Sequence, residues 1–463
     1  MSYSATADSN LFRQAQLHDN EQSEQVLEKE LKASHHLLRN NPVVRIGALR
    51  FRASVIGNGA KPVFDKDHYP EEFIKAFHQW MAYCDFNGYT NFAGVQALAV
   101  MTAVVEGRAF IVRRRTLDHI PLQLEVVSPL ALASHLEEQM GANYIRGGVL
   151  YGKNGKPKKY AFFKFPKDHP EFDEDDVNWI NASDVIDIRE IFHPGQSSAQ
   201  PWITAGADFA QQYKDNQTAE TKSRLKRIAQ QVYAMKEDPG APQKVGTVAG
   251  GPPTVNKTQN GSSEKVVHKS GDITLLTGVK DIKTASPAEI AGNYKEHNSQ
   301  VLRMVAGLLG ITYEMLTGDL TQVNYSSIRA GMINHRRFVG QFRSIYLEPA
   351  LNRIIGWFCD AYLLTSNPPL DGYFDNPYDY TLPKWIWPEW EEIDPLKAAK
   401  ALVLELQEDI TSMEDIANSR GTTLDEHLDS VKRSKDAAQQ RGLSGADKAK
   451  TEVKDEPSDE EED

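Results

Sequence analysis

Apolar residues recur every three or four positions over most of this 463-residue chain, and the period shortens toward two between residues 108 and 190. The helical text predicts helices over Gln22–Arg39 and from Pro42 to just before Gly57-Asn58-Gly59. It predicts two more over Pro70–Asp85, with Phe73, Ile74, Phe77, Trp80 and Met81 on one stripe, and over Asn91–Glu106. Short β-rich runs follow at Arg108–Arg115, Leu122–Val127, Ile145–Leu150, Tyr160–Phe165 and Val185–Arg189, with a hairpin turn at Tyr151–Lys156. Trp202–Met235 reads as one helix of about 50 Å whose centre, Lys214–Arg224, is nearly all polar, so it bridges domains or stands in an assembly.

Asp238–Asp272 breaks the pattern with Pro and Gly and reads as an extended excursion holding two short strands, before return strands at Ile273–Leu276 and Val279–Ile282. Ser286-Pro287-Ala288-Glu289 opens a capped helix that runs to Gly310. A polar loop leads to a second helix at Asn324, where Ile328, Met332, His335, Val339, Phe342 and Tyr346 step by three and four. Pro349 should kink that helix or start a new segment, and the apolar stripe resumes at Leu351. Three short helices, Asp394–Gln407, Ser412–Arg420 and Leu424–Gln440, close the patterned text. The expected fold class is α+β and mainly helical.

Composition narrows this only a little. Apolar residues make up 40% and charged residues 25%, an ordinary globular profile. No run reaches the roughly 18 apolar residues of a membrane span, and two cysteines far apart speak against a disulfide framework, so the chain reads as cytosolic in origin. The net charge of −12 is unevenly spread: residues 443–463 carry nine acids and three lysines, and Lys222–Lys283 carries eleven bases and five acids. That basic waist could face phosphate or be an ordinary solvated surface.

No catalytic constellation assembles from spacing. Gly152–Pro157 lacks the spacing and hydroxyl of a phosphate loop. Asp173–Asp176 reads as a solvated acidic loop, His35-His36 has no zinc-ligand spacing, and Ser223–Lys226 matches an S-x-x-K motif without its partner motifs. His335 reads as a packing residue within the apolar seam. The arginines of the long helix either pair with acids on neighbouring helices or line a passage for nucleic acid. No metal or cofactor is expected.

Several patches, in order along the chain, resemble the portal proteins of tailed bacteriophages, of the lambda-like kind. They are Leu38–Pro42 with the helix ending at Val55–Gly59, Val105–Ile111, Leu124–Pro129, and above all Ala306–Leu316 followed by Asn324–Ala330 and Arg336–Phe338. The resemblance implies a non-enzymatic portal fold with wing, stem, clip and crown, assembling as a ring of usually twelve subunits. Mapped onto this sequence it gives a flexible N-terminus (1–21), a wing (22–200) and a first stem helix (201–237). A clip with return strands (238–283), a second stem helix (284–315) and a tunnel loop (316–326) follow. A tunnel helix with return to the wing (327–393), a crown (394–442) and a disordered acidic tail (443–463) complete it.

It further implies a portal vertex channel through which double-stranded DNA is packaged and ejected without sequence specificity. Partners would be the terminase large subunit, the head–tail adaptor, and the major capsid and scaffolding proteins, in the virion and, during assembly, the host cytoplasm. The expected DNA-facing residues are Thr317, Asp319, Thr321, Gln322, Asn324, Tyr325 and Ser326. Lys222, Arg224, Lys226, Arg227, Arg329, Arg336 and Arg337 would be channel-facing or inter-subunit. The rival readings are a capsid-associated nuclease or maturation protease, and a monomeric helical adaptor.

Overall fold

The computed structural model describes residues 24–65, 68–192, 194, 196–228, 233–236, 245–247, 274–277, 294–321, 323–365, 369–388, 390, 395–420 and 422–440. The expected mobile N-terminus, most of the glycine-rich excursion, the strand at Val279–Ile282, the capping box at Ser286 and the acidic tail lie outside them.

In chain order the first elements are α1 (Glu24–Asn40), α2 (Pro42–Ile56), β1 (Lys61–Val63), α3 (Glu71–Trp80) and α4 (Phe92–Glu106). Strands β2 (Arg108–Arg114), β3 (Gln123–Val127), β4 (Glu138–Met140), β5 (Asn143–Arg146), β6 (Val149–Tyr151), β7 (Pro157–Phe163), β8 (Val177–Asn181) and β9 (Val185–Arg189) follow. A 3₁₀ turn at Trp202–Gly206 leads into α5 (Ala207–Ile228), then β10 (Tyr233–Lys236), β11 (Val245–Thr247) and β12 (Thr274–Thr277). The remainder is α6 (Tyr294–Leu308), α7 (Tyr313–Thr317), α8 (Tyr325–Phe342), a π turn at Arg343–Leu347, α9 (Glu348–Leu363), α10 (Tyr378–Thr381), β13 (Lys384–Ile386), α11 (Pro395–Gln407), α12 (Met413–Ser419) and α13 (Leu424–Gln440). The fold is α+β and mainly helical.

The elements form two compact units interwoven in sequence. One comprises Met1–Arg52, Ala99–Phe110 and Val127–Phe342, and the other Ala53–Leu98, Ile111–Val126 and Arg343–Asp463.

The first unit contains an antiparallel five-stranded sheet in the order β4-β5-β6-β7-β8. Residues 145–150, read as one strand, are the inner halves of two: Gly147 and Gly148 take φ +54° and +76° and turn a two-residue hairpin between β5 and β6. The period-2 text continued through the turn because glycine interrupts neither count. Beneath β7, Ala133, Ala161 and Phe163 pack with Leu136, Phe172 and Val177. Helix α5 ends at Ile228, earlier than the single helix expected to Met235, and Tyr233–Lys236 instead pairs in parallel with Thr274–Thr277. That pairing spans some forty residues of sequence and left no local signal. Leu308 packs on Gly206, in the 3₁₀ turn that leads into α5, and the Tyr294 hydroxyl donates to the Asn216 carbonyl at 3.4 Å, so α5 and α6 run antiparallel.

The aromatic centre of this unit is Phe51, Trp202, Phe338 and Phe342. Phe51 lies 5.2 Å from Trp202 and 5.5 Å from Phe342, ring centre to ring centre. The α8 seam is as the periodicity predicts: His335, Val339 and Phe342 are buried, and Ile328 and Met332 are half-buried.

The second unit is built on rings. Phe358 is fully buried, with Phe73, Phe77 and Trp80 at 5.1, 4.9 and 5.2 Å. The Trp80 indole N–H donates to the Leu122 carbonyl at 2.7 Å. Helix α3 stops at Trp80, five residues before the expected Asp85, and the Asp85 carboxylate instead accepts the Tyr89 and Thr90 amides at 2.9 and 3.1 Å in a tight loop. Strand β1 pairs antiparallel with β13. The long helix breaks as Pro349 requires. A π turn at Arg343–Leu347 precedes α9, which has proline in its first turn, where the missing N–H costs nothing.

Candidate channel segment

The segment from α6 through α8 is organised by a tight reversal at Gly310. Its φ of +64° is open to glycine, and a Cβ there would sink into the Phe338 ring. The Ile311 amide returns to the Ala306 carbonyl at 3.0 Å, and the Gly310 carbonyl accepts the His335 Nδ1–H at 2.7 Å. His335 therefore bridges α8 to the end of α6 as a packed, hydrogen-bonded residue.

Thr312 then caps α7, its Oγ1 accepting the Met315 amide at 3.2 Å. Gly318 ends α7 in the left-handed conformation. Leu316, expected as the first residue of the loop, is buried, with Ile311 and Leu309, against the α2 surface at Gly47. Close approach there rests on glycine at 47, a position with no local link to the loop. The loop proper is therefore Gly318–Asn324, and Ser326 already belongs to α8.

Three of the expected loop residues are brought together. Thr317 Oγ1 donates to the Tyr313 carbonyl at 2.8 Å and accepts the Asp319 amide at 3.1 Å. Asp319 Oδ1 accepts the Thr321 amide at 3.1 Å and the Thr321 hydroxyl at 2.6 Å. These bonds from Thr321 hold the Asp319 carboxyl below the usual carboxylate range. Asn324 caps α8, its Oδ1 accepting the Ser327 amide at 2.8 Å. Gln322 and the Tyr325 side chain lie outside the described residues. Sequence reading passed over Leu320, 61% exposed at the tip, and Arg303, which lies over the Tyr313 ring at 5.1 Å. A lone leucine among hydroxyls was the available signal for the first.

The expected basic residues fall into two separate groups. Lys222 and Arg224 are exposed on α5, beyond the point where Tyr294 meets Asn216, and Arg224 is bound to Glu220 at 2.8 Å. Gly206, which meets Leu308 near the loop end of α6, is about 24 Å along the helix from Lys222, so this group is remote from the loop. The side chains of Lys226 and Arg227 lie outside the described residues. On α8, Arg329 and Arg337 are exposed and Arg336 is half-buried, and Arg329 and Arg336 each follow a seam residue by one position. Arg343 neither pairs with a neighbouring helix's acid nor lines a passage. Its guanidinium donates to the Val55 and Ser54 carbonyls at 2.9 and 3.0 Å, capping the end of α2, and lies over Trp387 at 4.6 Å. Burial pushes it down to about 10, against the pull of Glu348.

Two further polar clusters are structural. Asp187 receives Arg108 bidentately at 2.7 and 2.6 Å, and burial of both charges is outweighed by their pairing, which keeps Asp187 below and Arg108 above their usual ranges. Glu106 accepts the Ser128 hydroxyl and meets His35 Nε2 at 3.1 Å. The carboxyl is central here and the serine faces it, so the histidine cannot take the serine proton and no nucleophile–base pair results. Among the described residues no group of three or more His, Cys, Asp or Glu side chains could hold a metal ion.

Residues 12–343 match the family described as phage portal protein, lambda family, and the chain belongs to that family. It is a structural component of a phage virion's portal. The chain is 22% identical over 413 residues to a probable portal protein of Halomonas phage phiHAP-1, covering 85% of this chain and 75% of the relative. Among solved structures it is similar to a chain in the neck of a native gene transfer agent particle, 13% identical, with 84% and 93% of the two chains covered and a TM-score of 0.42. It is also similar to an HK97 family phage portal protein from Corynebacterium diphtheriae, 11% identical, with 72% and 92% covered and a TM-score of 0.30. No helix among the described residues is long and apolar enough to cross a membrane.

Proposed function

We propose that this chain forms a ring of twelve copies around a channel for double-stranded DNA, with the Gly318–Asn324 loops projecting inward. Family membership supports the portal role. The observation that carries the loop's part is its construction: both ends are locked by caps, and Asp319 and the flanking threonines satisfy one another. The exposed described residues of the loop and its flank are Thr317, Gly318, Leu320, Thr321 and Asn324, none of them cationic, which suits sliding past phosphates, whereas a cationic loop would hold them. Residues 238–283 would be the clip that docks the terminase large subunit and the head–tail adaptor, and α11–α13 the crown. Contacts with the major capsid and scaffolding proteins would fall to the wing, with assembly in the host cytoplasm. The chain itself would be a passive conduit.

Mass photometry and negative-stain imaging of the purified protein test the ring. Twelve copies of a 51.9 kDa chain give particles of about 620 kDa with a central hole. A stable monomer that forms no rings at any concentration overturns the reading.

A further inference from the structure

Of the three C-terminal helices, α12 meets β13 through Asp415, whose carboxylate lies 4.0 Å from the Lys384 ammonium, and buries Ala417. Helices α11 and α13, thirteen and seventeen residues long, contain no buried residue. Isolated helices of that length are marginal in water, and an amphipathic helix is held by burying its apolar face. Here those faces enclose an apolar hollow of about 170 Å³, lined by Leu402, Val403, Leu406, Met413, Ile416 and His427. A cavity of that size takes one benzene-sized group. Around the helix from Leu402 and Leu406, at 100° per residue, Leu404 stands on the opposite face of α11 and is 58% exposed.

We infer that this layer is a contact between copies of the chain, in which Leu404 of one copy enters the hollow of the next. A hollow and a knob on opposite faces make a head-to-tail contact, which closes into a ring when the rotation allows. Charge supports the same occupant. Helix α11 places Lys400 before Glu405, a polarity that works against its own dipole. Helix α13 runs the other way, from Glu426 and Asp429 to Lys432, Arg433 and Lys435, with Asp436 after them. Adjacent copies set side by side can match the two. The inference rests on the ring reading and specifies one of its contacts.

Two variants of the full chain test it. Leu404→Asp changes an exposed residue, so the subunit should melt as wild type does. Losing one seated apolar anchor should raise the concentration for half-assembly about tenfold or more. Met413→Cys places a thiol in the hollow. The natural thiols will not compete with it, because Cys84 and Cys359 are fully buried and burial pushes Cys84 up to about 12. Maleimide should label Met413→Cys in the dissociated chain and fail to label it in the ring. Wild-type rings that persist with Leu404→Asp at unchanged concentration, or whose hollow thiol labels equally in both states, overturn the contact while leaving the ring reading standing. Absence of rings in the wild type overturns the ring reading and the contact with it.

Discussion

Gly310 is the position where the channel segment is most sensitive, and the cost of filling it can be worked out. In Gly310→Ala the new residue would sit at φ +64°, a conformation that costs an L side chain about 1–2 kcal/mol. Its Cβ would overlap the Phe338 ring. That ring cannot swing aside freely, since Phe51 and Trp202 stand 5.9 and 6.1 Å from its centre, and forced overpacking of this kind costs about 1–3 kcal/mol. Against this, alanine narrows the unfolded ensemble and returns about 0.4–1 kcal/mol. The net expectation is a loss of about 1–5 kcal/mol. Gly307, one turn earlier in α6, supplies the control. It is exposed and helical, and a Cβ there meets nothing within 4 Å, so Gly307→Ala should stabilise by about 0.5–1 kcal/mol. Urea unfolding of the dissociated chain, followed by tryptophan fluorescence, reads both, because Trp202 borders the Phe338 ring. If Gly310→Ala unfolds within about 0.5 kcal/mol of wild type, or if Gly307→Ala loses as much as Gly310→Ala, the account of this reversal is wrong.

Three other outcomes follow from buried groups. Phe358→Ala should cost about 3–5 kcal/mol in the same unfolding assay, because the ring is fully buried among four others, and a loss below about 2 kcal/mol would contradict the packing described. Arg343→Lys should cost about 2 kcal/mol, since an ammonium cannot serve the Ser54 and Val55 carbonyls as a fork and also lie flat on Trp387; an unchanged melting temperature would refute that role. Burial holds the Glu106 carboxyl above its usual range, with Ser128 and His35 opposing. A raised folded value means that its contribution is present in full below the unfolded carboxyl range and is lost as pH rises through the folded value. Glu106→Gln should therefore gain on wild type in thermal melts as pH rises from 4 to 8, and a difference that is flat with pH would count against it.

Regular elements were legible where period and burial agree. The α8 seam could be read because one face of that helix meets one core, and Pro349 marked the break because it lacks an N–H. The family resemblance was legible at Ala306–Leu316 and Asn324–Ala330, the stretches that hold the Gly310 reversal and the Asn324 cap. What escaped depended on distant partners. The end of α5 is set by a pairing with Thr274–Thr277, and the start of the loop by Gly47. Arg343 looked like one more helix-surface cation until the end of α2 and Trp387 were placed beside it. Lys222 and Arg224 were grouped with the α8 arginines as channel-facing or inter-subunit cations because helical text carries no distance, and the antiparallel α5–α6 pair puts them far from the loop.

That separation bears on how a conduit could grip and release. Under the proposed ring, cations on α5 and the loop would meet a passing duplex at different heights, since Lys222 lies about 24 Å along α5 from Gly206, where Leu308 near the loop end of α6 packs. An exposed guanidinium attracts phosphate over roughly a Debye length, about 8–10 Å, so neither level would act through the other. The loop's one acid is turned inward onto Thr321 and Tyr313, which keeps its repulsion local as well. Of Lys222 and Arg224, Arg224 is already tied to Glu220, leaving the exposed Lys222 the more available to phosphate. At the two levels these described residues define, such a channel would hold DNA weakly, and a motor could drive the duplex past them without first breaking a tight protein–DNA contact.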